Sequence, residues 1–471
     1  MARPRAAVAL PPTDDAAREV VLQRVAREVR KFPELGLEPL ETDGLEARDA
    51  AFAHALYDAV VRRWITLQWM VERVLRDPWE ELEWRMRACL LVGAAQLVFL
   101  DKVPPRAAVH GSVNWAKRAI RPGAGSLANA ALRRVSEMIE RDGADRPVKR
   151  EKWSDKEDEI PLADGTALIL KEERLHNDAM RRLEVATSCP LPLLRAWSKV
   201  LRTDQVRAMA LHTIVKPPIV LNTAFVREEG EGETGLADVT TAHSTPGHRV
   251  FTGTHDRLMR VFKGRADVWA QDAGSSAAVM MVSDLKPSVV IDVCAGLGTK
   301  TRQLFWTFPE AKIVASDVNE ARVKALKNEF KKAPWKDRVE VATSKELLKW
   351  VGKGDLVVVD APCSNSGVLA RRVEAKYRFD EESVTSLEGV QRQILADAVR
   401  LLTPVGAGQE RGKLLYSTCS VDRRENEAQA AWMERWHAMK TVRTSQQMPE
   451  GNPGTGGAER YADGSFAALM G

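Results

Sequence analysis

Two cysteines stand where a thiolate could work. In "VVDAPCSNSGVLARR", residues 358–372, an apolar run ends in Asp360, Pro362 and Cys363. In "KLLYSTCSVDRRENE", residues 413–427, a second run ends in Cys419. Thiols just beyond such runs can meet cations and helix N-termini, which favour the thiolate. A third stretch, "IDVCAGLGTKT" at 291–301, reads as a small-ligand cradle. Its Gly296 and Gly298 let the backbone approach a ligand closely, and the helix that follows offers free N–H groups. Asp317 ends the next apolar run, "KIVASD", where a carboxylate can accept hydrogen bonds from both hydroxyls of a ribose. A dinucleotide site wants a third glycine. Thr301 stands there instead, so S-adenosylmethionine (SAM) is preferred to NAD.

Two thiols beside a SAM site point to a specific reaction. C5 of cytosine is too poor a nucleophile to take a methyl group directly. A thiolate adding to C6 makes C5 enamine-like and able to accept one. The C5 proton must then leave and the thiolate be expelled, which calls for a second positioned group. The other cysteines, Cys89, Cys189 and Cys294, read as packing residues.

These positions need a frame. From about 266 the sequence alternates strands and helices: 288–293, 312–317, 339–343, 356–360 and 413–418 are short, apolar and rich in β-branched residues. Helical stretches separate them at about 300–306, 319–331, 345–351 and 383–402. Strands buried on both faces and joined by helices predict a parallel, doubly wound sheet, whose functional groups gather at the carboxyl ends of its strands. Residues 16–140 read as all-helical instead. Phe52, Leu56, Val60, Trp64, Leu67, Val71 and Val74 predict one long helix, and 85–100 a central, buried one. Residues 142–165, dense in charges of both signs, read as a linker or a solvated helical extension, and 227–249 as a mobile loop.

Composition bounds the rest. A chain of 471 residues, 44% hydrophobic and 29% charged, fits a soluble protein of two or three domains. No long apolar window predicts a membrane span, and the first twenty residues carry no secretory pattern. Five scattered cysteines without a CxxC pair or zinc spacing imply reduced thiols, a cytoplasmic setting and no metal. The net charge of +5 is compatible with a nucleic-acid partner.

"DAPCSNSGVLARR" and "YSTCSVDRRENE" resemble motifs of the RNA 5-methylcytosine methyltransferases of the Sun/RsmB type. "WAQDAGSSAAVM", "DVCAGLGTKT", "QRQILADAVRLLTPVG" and "YADGSFAALM" resemble further blocks of that family, in the family's order. The helical stretch from "VRRWITLQWMVERVL" through "AVHGSVNWAKR" and "LANAALRR" is similar to a NusB-like RNA-binding domain. The resemblance implies a SAM-dependent Rossmann-like α/β domain at 266–471 behind an all-α NusB-like domain at 1–141. A charged linker at 142–165 and an intermediate RNA-binding or connecting region at 166–265 would lie between them.

Cys419 is then the implied nucleophile, and Cys363 the thiol that helps release the product. Asp360 and Lys300 are implied contacts of the target cytosine. Cys294, Ala295, Gly296, Leu297, Gly298, Lys300, Asp317 and Asp360 are implied to hold SAM. Arg371 and Arg372 either meet RNA phosphate or order the active-site loop. The implied activity is methylation of cytosine C5 in RNA, with small-subunit rRNA ahead of tRNA. The chain departs from the family's C-A-A-P-G-G-K-T block at Gly296, Leu297 and Thr299, and offers Ala342, Thr343 and Ser344 where an Asp usually lies near adenine. These departures leave a non-catalytic RNA-binding or ribosome-assembly factor as the contrasting reading. A DNA cytosine methyltransferase fits the second thiol less well.

Overall fold

A computed structural model of the protein describes residues 15–36, 38–143, 145–226, 235–406, 411–453 and 456–471. The expected loop at 227–249 lies partly outside them. The chain divides into two compact units, one of residues 1–215 with 376–378, the other of 216–375 with 379–471.

The first unit is a helical bundle followed by a small sheet and three further helices. Helix Trp84–Phe99 is buried from Ala88 through Val98, which explains why that run is apolar except at Gln96. The stripe predicted as one long helix forms two, Ala47–Arg62 and Trp64–Val74, with the break at Arg63, where φ is −117°. Tertiary bonds accompany that break. The buried Arg63 guanidinium donates to Ala186 O at 2.9 Å and Pro161 O at 2.5 Å, and Thr66 N donates to Ser188 Oγ at 2.9 Å. Apolar spacing persists because both helices bury the same stripe.

The charged stretch 142–165 is neither open chain nor helix. Strands Lys149–Arg150 and Glu159–Pro161 pair with Ala167–Ile169 in a three-stranded antiparallel sheet. Its charges satisfy one another: fully buried Glu159 accepts from Arg150 at 2.6 Å and from Ser154 N and Oγ, each at 2.7 Å.

The second unit contains a four-stranded antiparallel sheet and a seven-stranded sheet. The strands of the larger sheet are β1 (Val289–Asp292), β2 (Lys312–Ser316), β3 (Val339–Ala342), β4 (Leu356–Asp360), β5 (Lys413–Thr418), β6 (Thr441–Gln447) and β7 (Ser465–Met470). Their order is β3-β2-β1-β4-β5-β7-β6. The first five are parallel; β7 runs antiparallel between β5 and β6. The predicted parallel sheet therefore ends in an antiparallel pair, because the terminal "SFAALM" inserts beside β5. Every strand but β6 feeds two cores. Val290, Ile313, Val358 and Leu415 pack on one face with Leu304 and Phe330, while Ile291, Val314, Val357 and Tyr416 pack on the other with Leu395 and Met433. The stretch 345–351 forms a short 3-10 turn, Glu346–Trp350, in place of the predicted helix. Among the described residues no helix is long and apolar enough to cross a membrane.

Candidate active site

The carboxyl ends of β1, β2, β4 and β5 meet at one edge of the sheet. After β1 the chain turns through 293–298 into helix Thr299–Thr307. Gly298 makes that turn at φ +86°, and a Cβ there would lie 2.7 Å from the Phe330 ring. After β2, Asp317 folds back onto the turn: Oδ2 accepts from Gly296 N at 3.0 Å, and Oδ1 from Asn319 N at 2.9 Å. Arg322 lies 3.5 Å from the same carboxylate and forms an ion pair with it.

Two cavities share Cys294. One, of about 320 Å³, is lined by Asp317, Val318, Ser344, Leu347 and Leu348. The other, of about 530 Å³, is lined by Asp292, Leu297, Lys300, Asp360, Asn365 and Cys419 among others. Large apolar side chains stand open at these walls, Val318 at 86% and Leu297 at 67% exposure, as a ligand-binding surface requires. Asp292 is buried beneath them. Thr301 Oγ1 donates to its Oδ2 at 2.7 Å, while Oδ1 has no protein partner among the described residues. Burial, with Asp360 and Asp317 nearby, pushes this carboxyl up to about 7.

These features fit SAM. The orphaned Asp292 oxygen can meet a cationic group, Asp317 retains lone pairs for hydroxyls, and the apolar wall suits a flat heterocycle. Ser344, which stands where an Asp was expected, also lines the smaller cavity.

Cys419 lines the larger cavity, and Cys363 stands beside it. Cys363 Sγ and Cys419 Sγ are 3.1 Å apart, and Cys419 Sγ donates to Asn365 Oδ1 at 3.3 Å. Asn365 adopts φ +60°, a left-handed conformation that Asn tolerates better than most residues, and its Nδ2 donates to Cys363 O at 3.1 Å. Gly367 closes the same loop: its N donates to Cys419 O at 2.9 Å, and a Cβ there would lie only 2.7 Å from that oxygen. The hydrogen bond with Cys419, burial and the charge of Glu425 hold the Cys363 thiol well above its usual range. Lys300 Nζ lies 2.8 Å from Asp360 Oδ2, and Ser417 Oγ donates to Oδ1 at 2.8 Å. Burial alone would lower Lys300, but the Asp360 charge and hydrogen bond outweigh it and raise its pKa.

Cys363, Cys419, Asp360 and Lys300 thus come together in space. Cys294, Ala295, Gly296, Leu297, Gly298 and Asp317 form or line the neighbouring turn and cavities, with Ala295 N donating to Ser316 O at 2.9 Å. Arg371 orders the loop: its guanidinium donates to Asp272 Oδ2 at 2.9 Å, to Asp463, and to Pro218 O at 3.2 Å. Arg372 is exposed at the cavity rim. Sequence reasoning passed over Asp272, Asn365, Glu425 and Asp463. Their one signal is a polar residue inside a motif block, with nothing to tell which block it faces.

Residues 279–462 match the family described as 16S rRNA methyltransferase RsmB/F, and residues 15–137 match the NusB family. With the fold and site, these matches show a SAM-dependent RNA methyltransferase domain similar to the RsmB/F family, preceded by an all-helical domain similar to NusB. The ribosomal RNA small subunit methyltransferase B of Escherichia coli O127:H6 (strain E2348/69 / EPEC) is 24% identical over 465 residues, covering 96% of this chain and 98% of that one. The protein of the same name in Escherichia coli O6:K15:H31 (strain 536 / UPEC) is 24% identical over 431 residues, 90% of each chain. The crystal structure of PH0851 superposes with a TM-score of 0.69 at 18% identity, covering 98% of this chain and all of that one, a likeness of fold.

Proposed function

We propose that the protein methylates C5 of cytosine in RNA, small-subunit rRNA foremost, through a covalent bond from Cys419 to C6 of the base. One observation carries this reading: Cys419 lines one cavity with the Lys300–Asp360 pair, and a second thiol, Cys363, stands 3.1 Å from its sulfur. A simple SAM-dependent transfer to oxygen or nitrogen needs no thiol, whereas C5 chemistry needs a nucleophile and a group that aids its departure. The Cys419 thiolate adds to C6, and the C5=C6 electrons make C5 nucleophilic. Lys300 and Asp360 hold the polar edge of the ring, the ammonium stabilising the negative charge that builds there. SAM, when bound, supplies an electrophilic methyl group. Loss of the C5 proton to a base or water then re-forms the C5=C6 bond and expels the Cys419 thiolate. Cys363, held protonated, donates its S–H to that departing sulfur, the role that makes it a release group.

The target base must leave its stack to meet Cys419, which favours a single-stranded or loop cytosine. The NusB domain and the names of the E. coli relatives support rRNA. The domain scheme of 1–141, 142–165, 166–265 and 266–471 belongs to the same proposal. The test is incubation of wild type with SAM and RNA from cells lacking the protein, followed by mapping of 5-methylcytosine. No methylated cytosine on naked RNA or on small-subunit particles rejects the reading.

A further inference from the structure

The "ENE" run at 425–427 lies just beyond Cys419, and the reaction above assigns its first residue nothing. Glu425 is fully buried, yet its carboxylate partners among the described residues are all neutral. Oε1 accepts from Ser364 N at 2.8 Å and Gln391 Nε2 at 3.1 Å; Oε2 accepts from Ser364 Oγ and Ser420 Oγ, each at 2.5 Å. Ser364 directly follows Cys363, and Ser420 directly follows Cys419. One carboxylate thus ties the two thiol-bearing turns to each other. Its neighbour reinforces the knot: Asn426 Oδ1 accepts from Thr418 Oγ1 at 2.6 Å, and its Nδ2 donates to Ser420 O at 2.9 Å.

A carboxylate is a costly group to bury without a cation, and packing alone does not call for one. Its oxygens can receive four hydrogens from two directions. An amide can accept on one side only, and alanine on neither. Resting on the reading of Cys419 and Cys363 as the working thiols, we infer that Glu425 is a positioning residue that sets the separation of the two sulfurs. Its charge has a second effect, since a nearby negative group opposes ionisation of Cys363.

Phenylarsine oxide tests this without RNA, because the arsenical condenses with two adjacent thiols, forming two As–S bonds and releasing water. Wild type is expected to take up one equivalent tightly, and Cys363→Ala and Cys419→Ala to lose that bridge. Glu425→Gln should bind the arsenical and turn over about tenfold more weakly while its affinity for SAM stays within twofold of wild type. In a Cys419→Ala background, Glu425→Gln should also bring the 240 nm thiolate absorbance of Cys363 in at lower pH, a change that a merely structural role would not cause. Wild-type arsenical affinity and turnover in Glu425→Gln would overturn the inference. If Glu425→Gln fails to fold, the double variant Ser364→Ala with Ser420→Ala, which removes both hydroxyl donors but keeps the carboxylate, carries the same expectation and the same refutation for arsenical affinity and turnover. Failure of the cytosine reading looks different: the arsenical data would follow Glu425 while no RNA is methylated.

Discussion

The sulfur atoms of Cys363 and Cys419 lie 3.1 Å apart although 56 positions separate them, because β4 and β5 are adjacent and parallel and each ends at the same edge. At that distance a proton passes readily between them, so substituting either thiol should stop the cycle at a different point. Cys363→Ala is expected to accumulate a covalent protein–RNA species on a denaturing gel when given SAM and substrate RNA. Cys419→Ala should form none, and each should lose about 100-fold or more in turnover. The reverse adduct pattern would exchange the two roles.

Asp317 should govern cofactor affinity rather than chemistry. It faces the smaller cavity and also holds Gly296 N, so Asp317→Ala removes a ligand contact and loosens the turn. Loss of charged hydrogen bonds of this kind weakens binding by roughly 10- to 100-fold. Calorimetric titration with SAM measures it, and an unchanged Kd would exclude Asp317 from the cofactor site.

Asp292 makes stability depend on pH in a stated direction. Its carboxyl ionises near 7 in the folded protein but near 3.8 in an unfolded chain. Between those values the unfolded state gives up a proton that the folded state keeps. The contribution to stability therefore falls as pH rises from about 4 to about 7, then levels off. Asp292→Asn should remove that slope, so its melting temperature relative to wild type rises between pH 5 and pH 8. A cationic cofactor favours the carboxylate, and SAM should bind wild type more tightly above pH 7 than below it. A difference between the two melting curves that does not change with pH would reject the assignment.

Arg371 and Arg372 are neighbours with opposite expectations. Arg371→Ala leaves Asp272 and Asp463 facing each other without a cation, a loss of about 3 kcal/mol by analogy with other broken buried pairs. Arg371→Lys should recover little of it, since one ammonium cannot span both carboxylates and Pro218 O. Arg372→Ala should leave the melting temperature unchanged but weaken RNA binding and lower the salt slope by about one. Chemical denaturation and salt-dependent binding separate the two.

The sequence by itself determined the local grammar. Continuous apolar runs ending in Asp292, Asp317, Asp360 and the turn before Cys419 are legible because strands buried on both faces need apolar side chains in both directions, leaving polar residues only at their ends. The bundle was legible for the same reason, since Leu90 or Val92 has no place except a core. Tertiary structure decided what those residues face. The break at Arg63 depends on carbonyls more than ninety positions away, and the fold of 142–165 on charges that pair across a sheet. The antiparallel insertion of β7, the orphaned oxygen of Asp292 and the knot around Glu425 are likewise matters of strand order. Periodicity reports whether a side chain is inside; only the neighbour brought by topology settles whether a buried carboxylate holds a loop, a cation or a ligand.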